Sequence, residues 1–210
     1  MQPLPPAKRT GRPRSAEADR AILAATRAAL AELGWGRLTL GDVAARAGVA
    51  KTTLYRRWAG KNELVVDAIA ALFEEQLDLP DLGSLRADIQ GAVLRFARLL
   101  SLPETRTALM AVVAEATTDE ALRLRVRGAI VDRQKHLVLL GRERAQARGE
   151  LPPDGRAGPA DLAARDDLIF DVIAGAVVHR LMVSSEPVDE EWAGRLALLL
   201  VAGLGGAQIC

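Results

Sequence analysis

Cysteine is almost missing from this chain. Its single thiol, Cys210, excludes an intrachain disulfide and any cysteine-rich zinc site. Two histidines, His136 and His179, leave little room for a histidine-rich metal centre, so neither a metal nor a cofactor is expected. Aromatic residues make up only 3% of the chain, so a core has to be built from Ala, Leu, Val and Ile. Ala and Leu are among the strongest helix formers. Residues 1–14 contain no apolar run of the kind a secretory signal needs. The longest late uncharged run, residues 196–210, is 15 residues long and broken by glycine. A membrane-spanning helix needs about 20 apolar residues, so no membrane partner is expected. The G-x-S-x-G, His-Glu-x-x-His and P-loop signatures are absent, and no G-x-G-x-x-G follows a strand. Together these absences describe a cytoplasmic protein that is not an enzyme.

What is present is a 210-residue chain, 50% hydrophobic and 26% charged, long enough for one large domain or two small ones. The net charge of +1 argues, as an average, against a nucleic-acid binder. The average conceals a split. Residues 1–70 hold 12 Lys and Arg against 6 Asp and Glu, and residues 71–210 hold 16 against 21. Such asymmetry suits a nucleic-acid-facing segment joined to an acidic one, and equally suits uneven surface decoration. Helical periodicity predicts nine helices, over 15–33, 40–47, 51–58, 62–77, 84–100, 104–116, 119–148, 161–184 and 189–204. Neither a strand nor an internal repeat is evident, so the fold class is all-α.

The most informative segment is 39–58. Thr39 is a good N-cap, Asp42 can answer it in a capping box, and Leu38 and Val43 stand at the staple positions. Gly48 supplies the turn to the next helix. Two short helices joined by a short glycine-containing turn form a helix-turn-helix. Ala44 is small enough for a close crossing, and Val43, Ala47, Val49 and Leu54 supply apolar contacts between the helices. The second helix carries Lys51, Thr52, Thr53, Tyr55, Arg56 and Arg57, donors suited to base edges and phosphates. The bland alternative is a helical hairpin with a basic, solvated face.

The stretch from Leu38 to Leu64 resembles the DNA-binding domain of the tetracycline-repressor (TetR) family of bacterial regulators. The resemblance rests on the Thr39 cap, Val43–Ala44, Ala47–Gly48–Val49, Thr53–Leu54–Tyr55, the aromatic Trp58 (usually Phe in the family), Lys61 and Leu64. It covers about residues 15–70. Arg148–Pro152 and Pro187–Trp192 are more loosely similar to one subgroup of the family's ligand domains. The resemblance implies a nine-helix, Ω-shaped homodimer that binds double-stranded operator DNA and answers to a small-molecule effector. It places Thr39, Lys51, Thr53, Tyr55 and Lys61 at operator-touching positions, with Thr52, Arg56 and Arg57 on or near that surface. The expected division is a flexible basic arm over 1–14 with Arg12 and Arg14, a helix-turn-helix domain over 15–61, and a ligand-binding and dimerisation domain over 62–210. Residues 62–77 form the linking helix.

The last two helices are apolar on more than one face, which argues for a partner chain. The expected dimer residues are Leu168, Val172, Gly175, Val178, His179, Met182, Trp192, Leu196, Leu199 and Leu200. The alternative is that both helices are interior core. A pocket in the second domain would be lined by Phe96, Leu100, Met110, Val113, His136, Leu140, Phe170 and Ile173. For each of these, plain core or surface packing is the competing reading. With so few aromatics, an aliphatic or amphipathic effector is favoured. Two other functions compete: an enzyme, and a helical dimer acting through protein partners with a vestigial reading head.

Overall fold

The computed structural model describes residues 16–155 and 158–206. The expected basic arm with Arg12 and Arg14, and Cys210, lie outside the described residues. Among the described residues the chain is helical, without a strand.

Helix α1 (Ala16–Arg37) buries Ile22, Thr26, Ala29 and Leu30, one stripe at helical spacing. The buried Thr26 hydroxyl donates back to the Ile22 carbonyl at 2.8 Å, which removes an otherwise unpaired polar group. The helix was expected to end at Leu33. It instead kinks at Gly34 (φ 73°, ψ 167°), and a last turn carries on to Arg37. Helix α2 (Leu40–Ala47) ends at Gly48, whose φ of 65° is the left-handed conformation that glycine adopts without penalty. Helix α3 (Lys51–Tyr55) stops three residues before the expected Trp58.

Helix α4 (Lys61–Gln76) buries eight residues from Leu64 to Phe73 on nearly all sides. It lies against α1, α6 and α7, at the centre of the molecule. Helix α5 (Leu85–Ser101) starts with the Ser84 hydroxyl accepting from the Ala87 amide at 3.2 Å. Helix α6 (Pro103–Ala116) takes Pro103 as its first residue, where the missing N–H costs nothing.

The long helix expected over 119–148 is broken. It consists of α7 (Glu120–Val126), a π-helical turn at Arg127–Val131, the short α8 (Asp132–Gln134) and α9 (His136–Ala147). Helix α10 (Pro159–Val178) begins at a proline two residues earlier than expected and runs into a second π-helical turn, His179–Val183. Helix α11 (Glu190–Gly206) is capped by Asp189, which accepts from the Trp192 amide at 2.8 Å. Counting each π-interrupted stretch as one helix gives nine among the described residues. One continuous apolar core joins Ile22 and Leu30 of α1 to Ala193 and Ala197 of α11.

Candidate nucleic-acid interface and cavity

The reading head is built by short-range chemistry. The Thr39 hydroxyl accepts from the Asp42 amide at 3.2 Å, and the Asp42 carboxylate accepts from the Thr39 amide at 3.0 Å, a complete capping box. The Thr39 hydroxyl and then its amide hold the Asp42 carboxyl below the usual range. Leu54 of α3 is fully buried under α2, against Val43 and Ala44 in the same core. Burying Leu54 turns its neighbours outward. Lys51, Thr52, Tyr55 and Arg56 are exposed, Tyr55 to 61%, and Thr53 is half-buried. Lys51 and Arg56 make no ion pair among the described residues. Their charges are therefore available to an incoming anion.

Two expected contacts are placed differently. Arg57 turns inward, with only 11% of its side chain exposed, and pairs with Asp19 of α1. It braces α3 against α1 and does not face outward with Arg56. Lys61 is half-buried; its ammonium donates to the Trp35 carbonyl at 2.8 Å and lies 4.8 Å from the centre of the Trp35 ring. An ammonium has three donors, so this bracing contact leaves capacity for a phosphate. Gly41 is a residue that sequence reasoning missed. A Cβ there would lie 2.9 Å from the end of the Lys51 side chain, so a bare backbone lets Lys51 lie over the start of α2.

Below the head, α4 is clamped to the π-interrupted helix by polar contacts along its length. The Asn62 amide donates to Asp119 at 3.1 Å. Arg125 reaches Glu63 at 3.1 Å and Asp67 at 2.9 Å, and Arg133 pairs with Glu74. Asp67 also accepts from the Trp58 indole at 2.9 Å. Ile130 and Gln134, on the same stretch as Arg125 and Arg133, line a cavity.

That cavity, of about 120 Å³, lies between α4, α5, α9, α10 and α11. Phe96, Phe170 and Ile173 are on its wall, together with Phe73, Leu85, Ile89 and Leu137. Phe73 and Phe96 meet edge to face, ring centres 6.1 Å apart. The other expected liners lie elsewhere. Leu100 is fully buried in the general core. Helix α6 turns Thr105, Ala108, Leu109 and Val112 inward, which leaves Met110 and Val113 exposed on its far side. His136 is exposed, its Nδ1 against the Arg133 carbonyl, and Leu140 is half-buried away from the cavity.

Of the expected dimer residues, Leu168, Val172, Gly175, His179 and Leu199 are exposed. Val178, Met182, Trp192 and Leu200 are half-buried against the chain's own core, and the Arg180 guanidinium sits 5.0 Å from the Trp192 ring centre. Leu196 is a departure, since it is buried beside Ala193 and Ala197 inside the chain. Among the described residues no helix is long and apolar enough to cross a membrane. No cluster of three or more His, Cys, Asp or Glu there could hold a metal ion.

A capped helix-turn-helix, docked on a helical body with an apolar cavity, is the architecture of a DNA-binding regulator. Residues 22–68 match the family model described as bacterial regulatory proteins, tetR family, and residues 79–200 match the tetracyclin repressor-like C-terminal domain. The chain belongs to the TetR family, and it is a DNA-binding transcriptional regulator, not an enzyme. It is 32% identical to the DNA-binding transcriptional repressor TetR of Mycobacteroides abscessus, over 90% of this chain and 95% of that protein. It is 27% identical to the HTH-type transcriptional regulator YdeS of Bacillus subtilis (strain 168), over 92% of this chain and 93% of that one. The solved TetR family regulator SCO0332 superposes with a TM-score of 0.70 at 29% identity, covering 89% of this chain and 98% of that one.

Proposed function

We propose that the protein is a homodimeric repressor that releases an inverted-repeat operator when a small molecule fills the cavity. The observation that carries the dimer is an unpartnered apolar face on α10 and α11, where Leu168 is 63% and Leu199 69% exposed. Isolated exposed leucines are ordinary, but Val172 of α10 and Leu198 of α11 are exposed as well, so each of the last two helices carries more than one exposed large apolar side chain. A two-fold pairing of that face is self-complementary and sets two reading heads on one side of a duplex. In each head, Thr39, Lys51, Thr52, Thr53, Tyr55, Arg56 and Lys61 form the DNA surface, and Arg12 and Arg14, outside the described residues, add their charge to DNA binding. The division of labour runs at about residue 61, the head before it and the effector and dimer body after it.

Release is a population shift. The ligand has to favour the spacing of heads that does not fit the operator over the one that does. Helix α4 is the lever, because Arg125 and Arg133 tie it to the stretch whose Ile130 and Gln134 face the cavity. The test is sedimentation together with a gel shift over a salt series, using DNA fragments selected by the purified protein. The reading expects a dimer, a palindromic selected site and affinity that falls steeply with salt. In Leu199→Glu the dimer should dissociate and the shift disappear. A monomeric wild-type protein, or salt-independent binding, would overturn it.

A further inference from the structure

The chain has three phenylalanines, and all three line the cavity. Phe73 comes from α4, Phe96 from α5 and Phe170 from α10. None of the three tryptophans lies on that wall, and neither does the single tyrosine. The aromatic surface there is therefore phenyl alone, without an indole N–H or a phenol hydroxyl. Four polar side chains, Asp88, Gln134, Arg142 and Arg165, also belong to the wall. Asp88 is fully buried, and its two oxygens accept from the Leu82 amide at 2.6 Å and from Arg148 at 2.8 Å. Arg142 donates to Asp154 at 2.8 Å, and Arg165 donates to the same carboxylate at 3.1 Å. The Gln134 side-chain oxygen and the Nε of both arginines are buried beyond the reach of water. An atom that water cannot touch is closed to a larger ligand as well. The backbone is equally committed. Of the wall residues outside helices, Leu77 donates its amide to the Phe73 carbonyl at 2.8 Å, and Leu151 donates to Ala145 at 3.3 Å. The Leu79 carbonyl accepts from Arg144 at 3.1 Å. What the cavity presents is carbon, a third of it contributed by chemistry this chain otherwise hardly uses inside its body.

We propose that the cavity binds a compact aromatic hydrocarbon, a single benzene ring without a hydrogen-bonding substituent. This rests on the reading of the cavity as an effector site and names the class of effector. A hydroxyl carried into the site would leave its water partners and find none in the wall, and a carboxylate would lose far more. Scarce aromatics in the sequence favoured an aliphatic or amphipathic ligand. Gathering every phenyl ring at one place favours an aromatic one, because ring pairs gain from edge-to-face and offset contact beyond the area they bury. Phe73 and Phe96 already meet edge to face across this wall. The size follows from the volume. A cavity of about 150 Å³ lined by Leu, Ile and Phe admits benzene, so one of about 120 Å³ holds one six-membered ring with a slight adjustment of its side chains.

The experiment is calorimetric titration of the full-length protein, without DNA, with benzene, cyclohexane, phenol and benzoate. Benzene should bind. Phenol should bind roughly tenfold more weakly and benzoate roughly a hundredfold or more. Phe96→Leu removes one ring and keeps the wall apolar. It should weaken benzene about two- to tenfold more than it weakens cyclohexane, a comparison in which the change of cavity volume largely cancels. Ile173→Trp should fill the cavity and abolish benzene binding, while circular dichroism checks that both variants are folded. Phenol or benzoate binding as tightly as benzene, or no benzene binding by the wild-type protein, would overturn the proposal. So would a Phe96→Leu variant that loses benzene and cyclohexane affinity equally. Because DNA is left out, this result is separate from the effector reading. Benzene that binds but does not release the operator in a gel shift counts against that reading and leaves the ligand class standing.

Discussion

Arg125 of α7 donates to one carboxylate oxygen of Asp67 at 2.9 Å, while the other oxygen of Asp67 accepts from the Trp58 indole at the same distance. One carboxylate on α4 thus joins the residue just beyond the recognition helix to the helix that carries the cavity wall. Arg125 and Asp67 are each more than a third exposed, so the ion pair itself contributes little to stability, about 0–1 kcal/mol. Arg125→Ala should therefore change the unfolding free energy by less than about 1 kcal/mol. Its operator affinity should change at least threefold, because α4 is freed to take other angles. Urea unfolding and gel-shift titration on the same preparation check this; unchanged affinity would remove Arg125 from the relay.

Trp58 stands where the resembling family usually has Phe, and in sequence the exchange reads as conservative. The structure gives the indole N–H a partner that a phenyl ring lacks. Trp58→Phe should keep the buried packing and lose one hydrogen bond, costing about 1 kcal/mol. In the double variant with Asp67→Asn the losses should be less than additive, because both act on one contact. Additive losses in thermal or urea unfolding would show that the indole and the carboxylate act independently.

Tyr55 and Leu54 are adjacent on α3 and should behave oppositely. Tyr55 is largely exposed, so Tyr55→Ala should leave stability within about 0.5 kcal/mol and weaken binding to all DNA sequences alike. Leu54 is fully buried, so Leu54→Ala should destabilise the protein by about 2–5 kcal/mol. Thr52→Ala and Lys51→Ala should instead shift base preference, seen by selecting bound sequences again with each variant. Equal effects of all three exposed changes on every operator variant would refute this division of the helix.

Thr39→Ala removes the hydroxyl that caps α2 and should cost about 1 kcal/mol. Operator affinity should fall with it, because the cap fixes where α2 starts and so how α3 is presented. Asp42→Asn should cost less, since an amide oxygen still accepts from the Thr39 amide. Thermal melts rank the two, and an Asp42→Asn variant as damaged as Thr39→Ala would show that the charge of Asp42 matters more than the cap.

The parts of the molecule that were legible in sequence are those set by contacts three or four residues apart. The Thr39–Asp42 box and the Gly48 turn belong to this group, as do the helix starts expected near 84, 119 and 189, where Ser84, Asp119 and Asp189 cap the first turn. Arg57 was misplaced because its partner, Asp19, is 38 residues away, and nothing in the spacing around Arg57 marks it as inward. The π-helical turns leave apolar periodicity almost intact, so one long helix was expected where Arg127–Val131 interrupts it. Met110 and Val113 have the right chemistry for a pocket. Only the docking of α6 on α1 shows that α6 faces away from the cavity.

Glu150 gives a prediction about acid. One of its oxygens accepts from the Leu85 amide at the start of α5 at 2.7 Å, and the other from Arg148 at 2.5 Å. Arg148 in turn holds Asp81 at 3.1 Å and the fully buried Asp88 at 2.8 Å, so the end of α9 is stapled to the start of α5. The Leu85 N–H, and after it Arg148, hold the Glu150 carboxyl below the usual glutamate range despite partial burial, which pushes it up. A carboxyl depressed in the folded state stabilises the fold above its unfolded value, about 4.3, and that stabilisation fades as pH falls through the lower folded value. Glu150→Gln keeps an acceptor for Leu85 but cannot titrate. The variant should be less stable than the wild type at pH 7, and the gap should close as both are acidified below about pH 4. Thermal melts from pH 7 to pH 3 measure the gap directly. Parallel curves would mean that Glu150 acts through its shape and that another carboxylate sets the acid limb.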